Sequence, residues 1–455
     1  MMKTSMSKCS VAVSLALISS AISSQACASG FALIENSASG MGNAFAGAAA
    51  IAEDASTVWF NPAGMTKLPG TQLVIAGHFI SPDAKFTNGS STAPSAGTIT
   101  SDNGGVDAVV LNFYYTNQMS DAWTFGLGIN APFGLETEYR DNWTGRYTAT
   151  KSDMLTININ PALAVKASDK LSIGIGFNWQ FIDATLSNKL DAGAICQGID
   201  GAFGSATCTG VSPGDTTSSQ SLSGDDWSWG VNLGITYDFT PDTRLGVAYR
   251  SGVNHDLEGN VDFTMNSTFM TNIDTQLTGA GYGNLFDDSA IAAHIELPDT
   301  LSFSLAHRLN TDLTLLGDVT WTGWKRFDEL KIKFANPVQS DSVIPENWSN
   351  SLRFSLGANY RTSESMMYRI GIALDQTPID SPENRTPRIP DNDRKWLSLG
   401  MNYNLDSSMS IDVGYSHLFV DDSTINNTDA THTYVINGSY ESSVDILSAQ
   451  FNMKF

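Results

Sequence analysis

A closed antiparallel β-barrel of about fourteen strands, crossing a membrane and plugged by its own N-terminal segment, is the fold this 455-residue sequence predicts. Three observations carry that prediction. Segments of about ten residues alternate apolar and polar side chains with period 2 along most of the chain. The connections between them alternate between short and long. Ahead of the first strand stands a Gly-, Ala- and Ser-rich stretch without the alternation of a wall strand.

Residues 1–28 read as a secretory signal. Lys3 and Lys8 supply the positive start, Val11 to Ile22 an apolar run broken by serines, and Ala26-Cys27-Ala28 the cleavage site. The apolar run is too short to cross a bilayer as a helix. The mature chain is therefore expected to begin at Ser29. A lipidated Cys27 is the weaker reading, because Ser24-Gln25 is a poor match to the apolar approach that lipidation needs.

Residues 29–70 read as a plug. The stretch from Gly30 to Gly64 is rich in small residues, yet Phe31, Leu33, Phe45, Trp59 and Phe60 give it apolar groups to bury. Gly40-Met41-Gly42 follows no predicted strand, and there is no GxxxxGK[ST], so a phosphate loop is not supported. Asn61-Pro62-Ala63-Gly64 reads by itself as a turn, since proline fixes φ and Asn and Gly tolerate the rest.

Residues 71–455 read as the barrel. Alternation is visible around 71–81, 105–116, 122–133, 153–166, 170–186, 227–239 and 244–258. It returns around 296–309, 312–324, 350–361, 366–378, 393–405 and 408–420. In the C-terminal strand Leu447, Ala449, Phe451, Met453 and Phe455 share one face, and Ser448, Gln450, Asn452 and Lys454 the other. That makes about fourteen strands, an even number as bacterial barrels require. Short polar turns recur, such as Asn117–Asp121, Ala167–Asp169, Thr240–Asp242, Asn310–Asp312 and Leu405–Ser407. Between them fall long connections near 82–104, 134–152, 187–226, 259–295, 325–349, 379–392 and 421–438. A soluble sandwich has no reason to place every long loop at one end, whereas a membrane barrel does. Closure also removes strand edges that lipid cannot hydrate. After the signal no run of 18 apolar residues exists, which excludes helical spans but not strands.

The composition narrows function. A formal net charge of −22 argues against nucleic acid, whose phosphates demand Lys and Arg. It suits outer loops that meet divalent cations near lipopolysaccharide. The connection 187–226 holds Cys196 and Cys208, the only cysteines outside the signal. With no histidine nearby, an exported pair is expected as a disulfide rather than a metal pair, contributing roughly 3 kcal/mol. In 259–295, Phe269, Met270, Ile273 and Leu277 are spaced to share one helical face. They read either as a loop helix packed on its neighbours or as one wall of an apolar groove. Gly210-Val211-Ser212-Pro213-Gly214 matches a nucleophile elbow by letter but lies in a Gly/Ser/Thr-rich loop. No catalytic, metal or cofactor site is expected.

Several motifs, in shared order, carry a resemblance. Ser29-Gly30-Phe31, Ser39-Gly40-Met41-Gly42, Glu53-Asp54-Ala55 and Asn61-Pro62-Ala63 resemble the N-terminal hatch of the FadL family. These are outer-membrane channels of Gram-negative bacteria for long-chain fatty acids and other hydrophobic compounds. The resemblance continues through Pro132–Tyr139, Tyr249-Arg250-Ser251, Arg388-Ile389-Pro390-Asp391, Asp393-Arg394 and Trp396-Leu397-Ser398, essentially the whole mature chain.

That resemblance implies passive import through a lumenal pocket, with Phe31 near the ligand. It implies a kink in the third strand at Pro132-Phe133-Gly134 that opens sideways into the membrane, with Asn61 and Pro62 set against it. Read alone, Pro132 and Gly134 could simply end a strand. Lys189 lies close to where the family carries a basic pocket residue at the end of the fifth strand; read alone it is a solvated loop lysine. A second basic position falls near Ile344-Pro345, where this chain has no cation. The cargo is therefore left between fatty acids and neutral or aromatic hydrocarbons. A landing groove between outer loops is implied too, for which Phe269, Met270, Ile273 and Leu277 are the candidates. A general porin and a structural or adhesive surface barrel are the rivals, and a blocked lumen argues against both. A monomer is expected.

Overall fold

The computed structural model describes residues 30–93, 98–203, 212–428 and 434–455. The expected signal segment and Cys208 lie outside the described residues, as does the side chain of Ile273. Fourteen antiparallel strands form a closed ring. In order they are β1 Thr71–Asn88, β2 Ala108–Gln118, β3 Trp123–Asn130, β4 Lys151–Lys166 and β5 Leu171–Leu190. β6 Ser218–Thr240, β7 Thr243–Arg250, β8 Thr300–Arg308, β9 Leu313–Thr322 and β10 Ser351–Arg361 follow. β11 Met366–Asp375, β12 Arg394–Asn404, β13 Met409–Val420 and β14 Val435–Lys454 complete it. β1 closes the ring by pairing β2 on one side (Gly77 opposite Leu111) and β14 on the other (Gly77 opposite Ala449).

Period-2 alternation turns this ring inside out relative to a soluble sheet. On β14, Ser448, Gln450 and Asn452 are buried, while Leu447 is 55% exposed. The apolar face meets lipid and the polar face lines the lumen. Trp123 stands exposed at the short-turn end, and Trp179, Trp227 and Trp229 toward the other, as the aromatic girdles of such barrels do. Inside, Asn130, Asn158, Asn160, Asn178 and Asn232 are linked by side-chain hydrogen bonds across the polar face.

The strands run further outward than alternation alone indicates, and toward the outer side two of the expected segments divide. The segment expected at 244–258 is two strands, β7 and Val253–Thr264, separated at Ser251-Gly252. The one expected at 296–309 likewise divides at Pro298-Asp299 into Ser289–Leu297 and β8. Short strands Glu329–Phe334 and Ser342–Pro345 extend this outer sheet beyond β9 and before β10. Helices Ala192–Phe203 and Ser267–Ala280 pack above it.

Residues 30–70 lie within the ring. They form single-turn helices Ala38–Met41, Ala48–Ile51 and Thr57–Phe60, then a 3₁₀ turn Pro62–Lys67. Small residues on both partners let backbone touch backbone. A Cβ on Gly371 of β11 would lie 2.1 Å from the Asn43 backbone, and one on Gly246 of β7 would lie 1.9 Å from the Ala49 carbonyl. Polar bonds complete the attachment. Arg369 bridges Glu53 (3.0 Å) and Asp412, and Gln450 donates to Asp54 (2.9 Å).

Candidate functional site

The wall is interrupted at β3. Its ladder to β2 runs from Gln118–Thr124 to Phe113–Ile129 and stops, although β2 continues along β1 as far as Ala108. On the other side β3 follows β4 to Asn130 opposite Asn158. Pairing resumes only at Gly134 opposite Leu155, in the short strand Gly134–Glu138. Three residues, Ala131 to Phe133, thus stand opposite two, Thr156 and Ile157. Pro132 brings no N–H to a ladder, which suits it to such a bulge. Residues 108–112 of β2 are left without a neighbour on that side, and Val109 and Leu111 are 68% and 70% exposed.

The inner segment takes up the freed bonds. The Leu33 N–H donates to the Pro132 carbonyl (2.8 Å), and the Gly134 N–H donates to the Phe31 carbonyl (3.1 Å). The Asn130 amide donates to Asn36 (2.8 Å). A Cβ on Gly134 would lie 2.9 Å from a terminal methyl of Leu33, so the inner segment packs closely against the wall here.

Two cavities meet near this break. The first has walls of Leu135, Met154, Leu186, Leu222, Leu257, Ile295, Leu330 and Ile332, with Phe31 and Phe327. Its empty space, open mouth included, is about 820 Å³. Burying apolar cargo against such walls contributes about 25 cal/mol per Å². The second cavity lies between the inner segment and the wall, lined by Trp59, Phe60, Pro62, Pro132, Phe133, Arg250 and Arg353 among others. Phe31 of the first cavity and Phe133 of the second meet edge-on at 6.0 Å between ring centroids. They form an aromatic partition between the two.

Phe31 is held from several sides. Trp324, Phe327 and Trp348 surround it at 4.7, 5.5 and 5.6 Å. Gly30 fixes its backbone: its N–H donates to Asp391 (2.9 Å) and its carbonyl accepts from Arg394 (3.0 Å). Gly30 has φ +61°, and a Cβ there would lie 2.6 Å from Trp348. The late Arg-Ile-Pro-Asp motif therefore serves the start of the inner segment.

The first cavity ends in Arg388 and Glu346, both on outer connections rather than membrane-spanning strands. The Arg388 guanidinium donates to the carbonyls of Lys151 (2.9 Å) and Thr148 (2.8 Å) and to the Ser152 hydroxyl (3.1 Å). Glu346 Oε2 accepts from the Trp348 indole (3.0 Å). Burial pushes the Glu346 carboxyl up to about 8, opposed by the Trp348 hydrogen bond and the charge of Arg388. Burial pulls Arg388 down to about 10, still cationic at neutral pH.

Two expectations need correction, and a third resolves toward the packed loop helix. Lys189 lines neither cavity; its side chain pairs with Asp141 at 2.9 Å, and the cation in the first cavity is Arg388. Asn61 does not face the break. Its amide donates to the Ala49 carbonyl (2.6 Å) and the Ile235 carbonyl of β6 (3.0 Å), and its Oδ1 caps the 3₁₀ turn at Ala63. Asn61 thus fastens the inner segment to β6, while Pro62 shares the second cavity with Pro132 and Phe133. Phe269 and Leu277 are buried in one cluster with Ala192 and Cys196, so the contact between the two outer helices consumes them; Met270 is only partly buried. Trp324, Phe327, Trp348 and Glu346 carry no local pattern by which sequence reading could single them out. Arg388 stands in a recognised motif, which marked the place but not the role.

A family model described as outer membrane protein transport protein (OMPP1/FadL/TodX) matches residues 19–455. The long-chain fatty acid transport protein of Escherichia coli K12 is 31% identical over 432 residues, covering 91% of this chain and 92% of that protein. The crystal structure of a Pseudomonas aeruginosa FadL homologue aligns with TM-score 0.82 at 25% identity, covering 94% of this chain and 100% of that one. The Pseudomonas putida toluene transporter TodX shares the fold at TM-score 0.64 and 19% identity, covering 88% and 94%.

Proposed function

The chain belongs to the FadL/TodX family of outer-membrane transport proteins, and from that premise we propose that its cargo is a long-chain fatty acid leaving sideways through the broken wall. It is a channel of the Gram-negative outer membrane for hydrophobic molecules and not an enzyme. In the proposed route, cargo enters from the outer loops and rests in the first cavity. It then passes the Phe31–Phe133 partition into the second cavity and exits where β2 and β3 part. Residues 29–70 act as the hatch whose rearrangement permits that passage, after removal of residues 1–28; residues 71–455 form the barrel. The channel works as a monomer, its acidic loops lying among lipopolysaccharide.

One observation carries this reading. An apolar cavity with a polar end adjoins a wall break, and the same inner segment contributes Phe31 to the first and Leu33 to the second. The polar end favours a fatty acid, and the Escherichia coli relative is named for that cargo. Neutral hydrocarbons are the second reading, because main-chain carbonyls already occupy much of Arg388. Uptake of labelled oleate and labelled toluene by cells expressing matched amounts of the protein separates the two. Toluene uptake without oleate uptake would overturn the fatty-acid assignment.

A further inference from the structure

Resting on the reading that the first cavity holds cargo, a second question is how its polar end recognises a head group. Arg388 supplies positive charge, but both of its terminal nitrogens are engaged by Lys151, Thr148 and Ser152. Glu346 is 4% exposed and lines the same apolar cavity. Its Oε2 is taken by Trp348, and among the described residues no hydrogen bond reaches Oε1. With no protein partner on a residue that lines the cavity, this atom is available to a ligand.

We infer that Glu346, in its protonated form, is the head-group partner of this cavity, sharing its proton with the carboxylate of a fatty acid held near the Arg388 charge. The bound state then contains one proton and one negative charge over two carboxyls, with the guanidinium nearby. Two carboxylates in contact cannot both stay ionised, so the proton is required for binding. Below the pKa of Glu346 the protein brings that proton; above it, one proton is taken up from solution as the acid binds.

The surroundings fit this assignment. Arg388 and the Trp348 indole act on Glu346. Asp153 of β4 also lines the cavity, paired to Lys151 at 3.1 Å. The lining from β5, β6 and the outer strands contains no other titratable side chain among the described residues. Burial, opposed by the Trp348 hydrogen bond and Arg388, holds the carboxyl at about 8, so it is protonated at neutral pH and ionises as pH rises.

The test is equilibrium binding of oleate and methyl oleate to the purified protein in a nonionic detergent, at pH 7 and pH 9, for the native chain and Glu346→Gln. In the native protein, oleate affinity should fall about tenfold across that interval, as one linked proton dictates, and methyl oleate affinity should hold. In Glu346→Gln the amide still donates a hydrogen bond but cannot titrate, so oleate affinity should become flat with pH. Any effect of pH on detergent partitioning appears equally in both proteins. A flat native profile, or an unchanged slope in Glu346→Gln, overturns the inference while leaving the cavity as a cargo site. Failure of both ligands to bind overturns both.

Discussion

Deleting Pro132 should close the wall and abolish uptake while leaving the barrel intact. Ala131, Pro132 and Phe133 stand opposite only Thr156 and Ile157, so removing one residue restores the register that β3 keeps up to Asn130–Asn158. The straightened strand would also pass alongside residues 108–112 of β2, which now lack a neighbour there. A ladder adds about one hydrogen bond per residue, each with a net worth of about 0.5–1.5 kcal/mol. Five regained positions therefore amount to roughly 2–8 kcal/mol favouring closure. Against this stand the two bonds that Leu33 and Gly134 make across the break and the two between the Phe133 backbone and the Thr156 hydroxyl. Closure should win. The assay is uptake of labelled oleate at matched surface expression, with a disulfide engineered between residue 110 and the shortened strand to report closure. Efficient crosslinking together with uptake within twofold of the native protein would refute lateral exit, since cargo would then be passing down the barrel.

Three further outcomes are expected. Gly371→Val should expel the inner segment, because even a Cβ would lie 2.1 Å from the Asn43 backbone; single-channel conductance should rise, and a closed channel would show that the segment can shift to make room. Lys189→Ala should leave oleate affinity within about fivefold, since a pair with an exposed partner such as Asp141 is worth about 0–1 kcal/mol; a larger loss in a binding titration would return Lys189 to the site. Intact mass before and after reduction should give a chain starting at Ser29 with one Cys196–Cys208 bridge, and a lipidated Cys27 or two free thiols would contradict the respective part.

The architecture was legible in the sequence because period 2 is a local property. Each wall strand needs only its own residues to present lipid with Leu447 and Phe451 and the lumen with Ser448 and Gln450. Turns such as Thr240–Asp242 are equally local, which is why the strand number and the end that bears the long loops could be read without coordinates. Breaks were legible in part. Pro132 announced one, whereas Ser251-Gly252 was absorbed into a single expected strand, since alternation continues on both sides of it.

The site was not legible in the same way, because its members are brought together by closure of the ring and by outer connections folding inward. Lys189 lies close in sequence to the expected basic position, yet its side chain turns to Asp141; Arg388, some two hundred residues later, fills the cavity end. Gly30 and Asp391 are hydrogen-bonded at a separation of 361 residues, and no periodicity reports such a contact. Asn61 illustrates the same limit: its motif was recognisable, but which wall carbonyl its amide meets depends on where the inner segment sits against β6. Local alternation sufficed to specify a barrel wall in lipid; which polar groups share its interior was decided only by tertiary packing, where the closed ring sets the partners each buried donor and acceptor can reach.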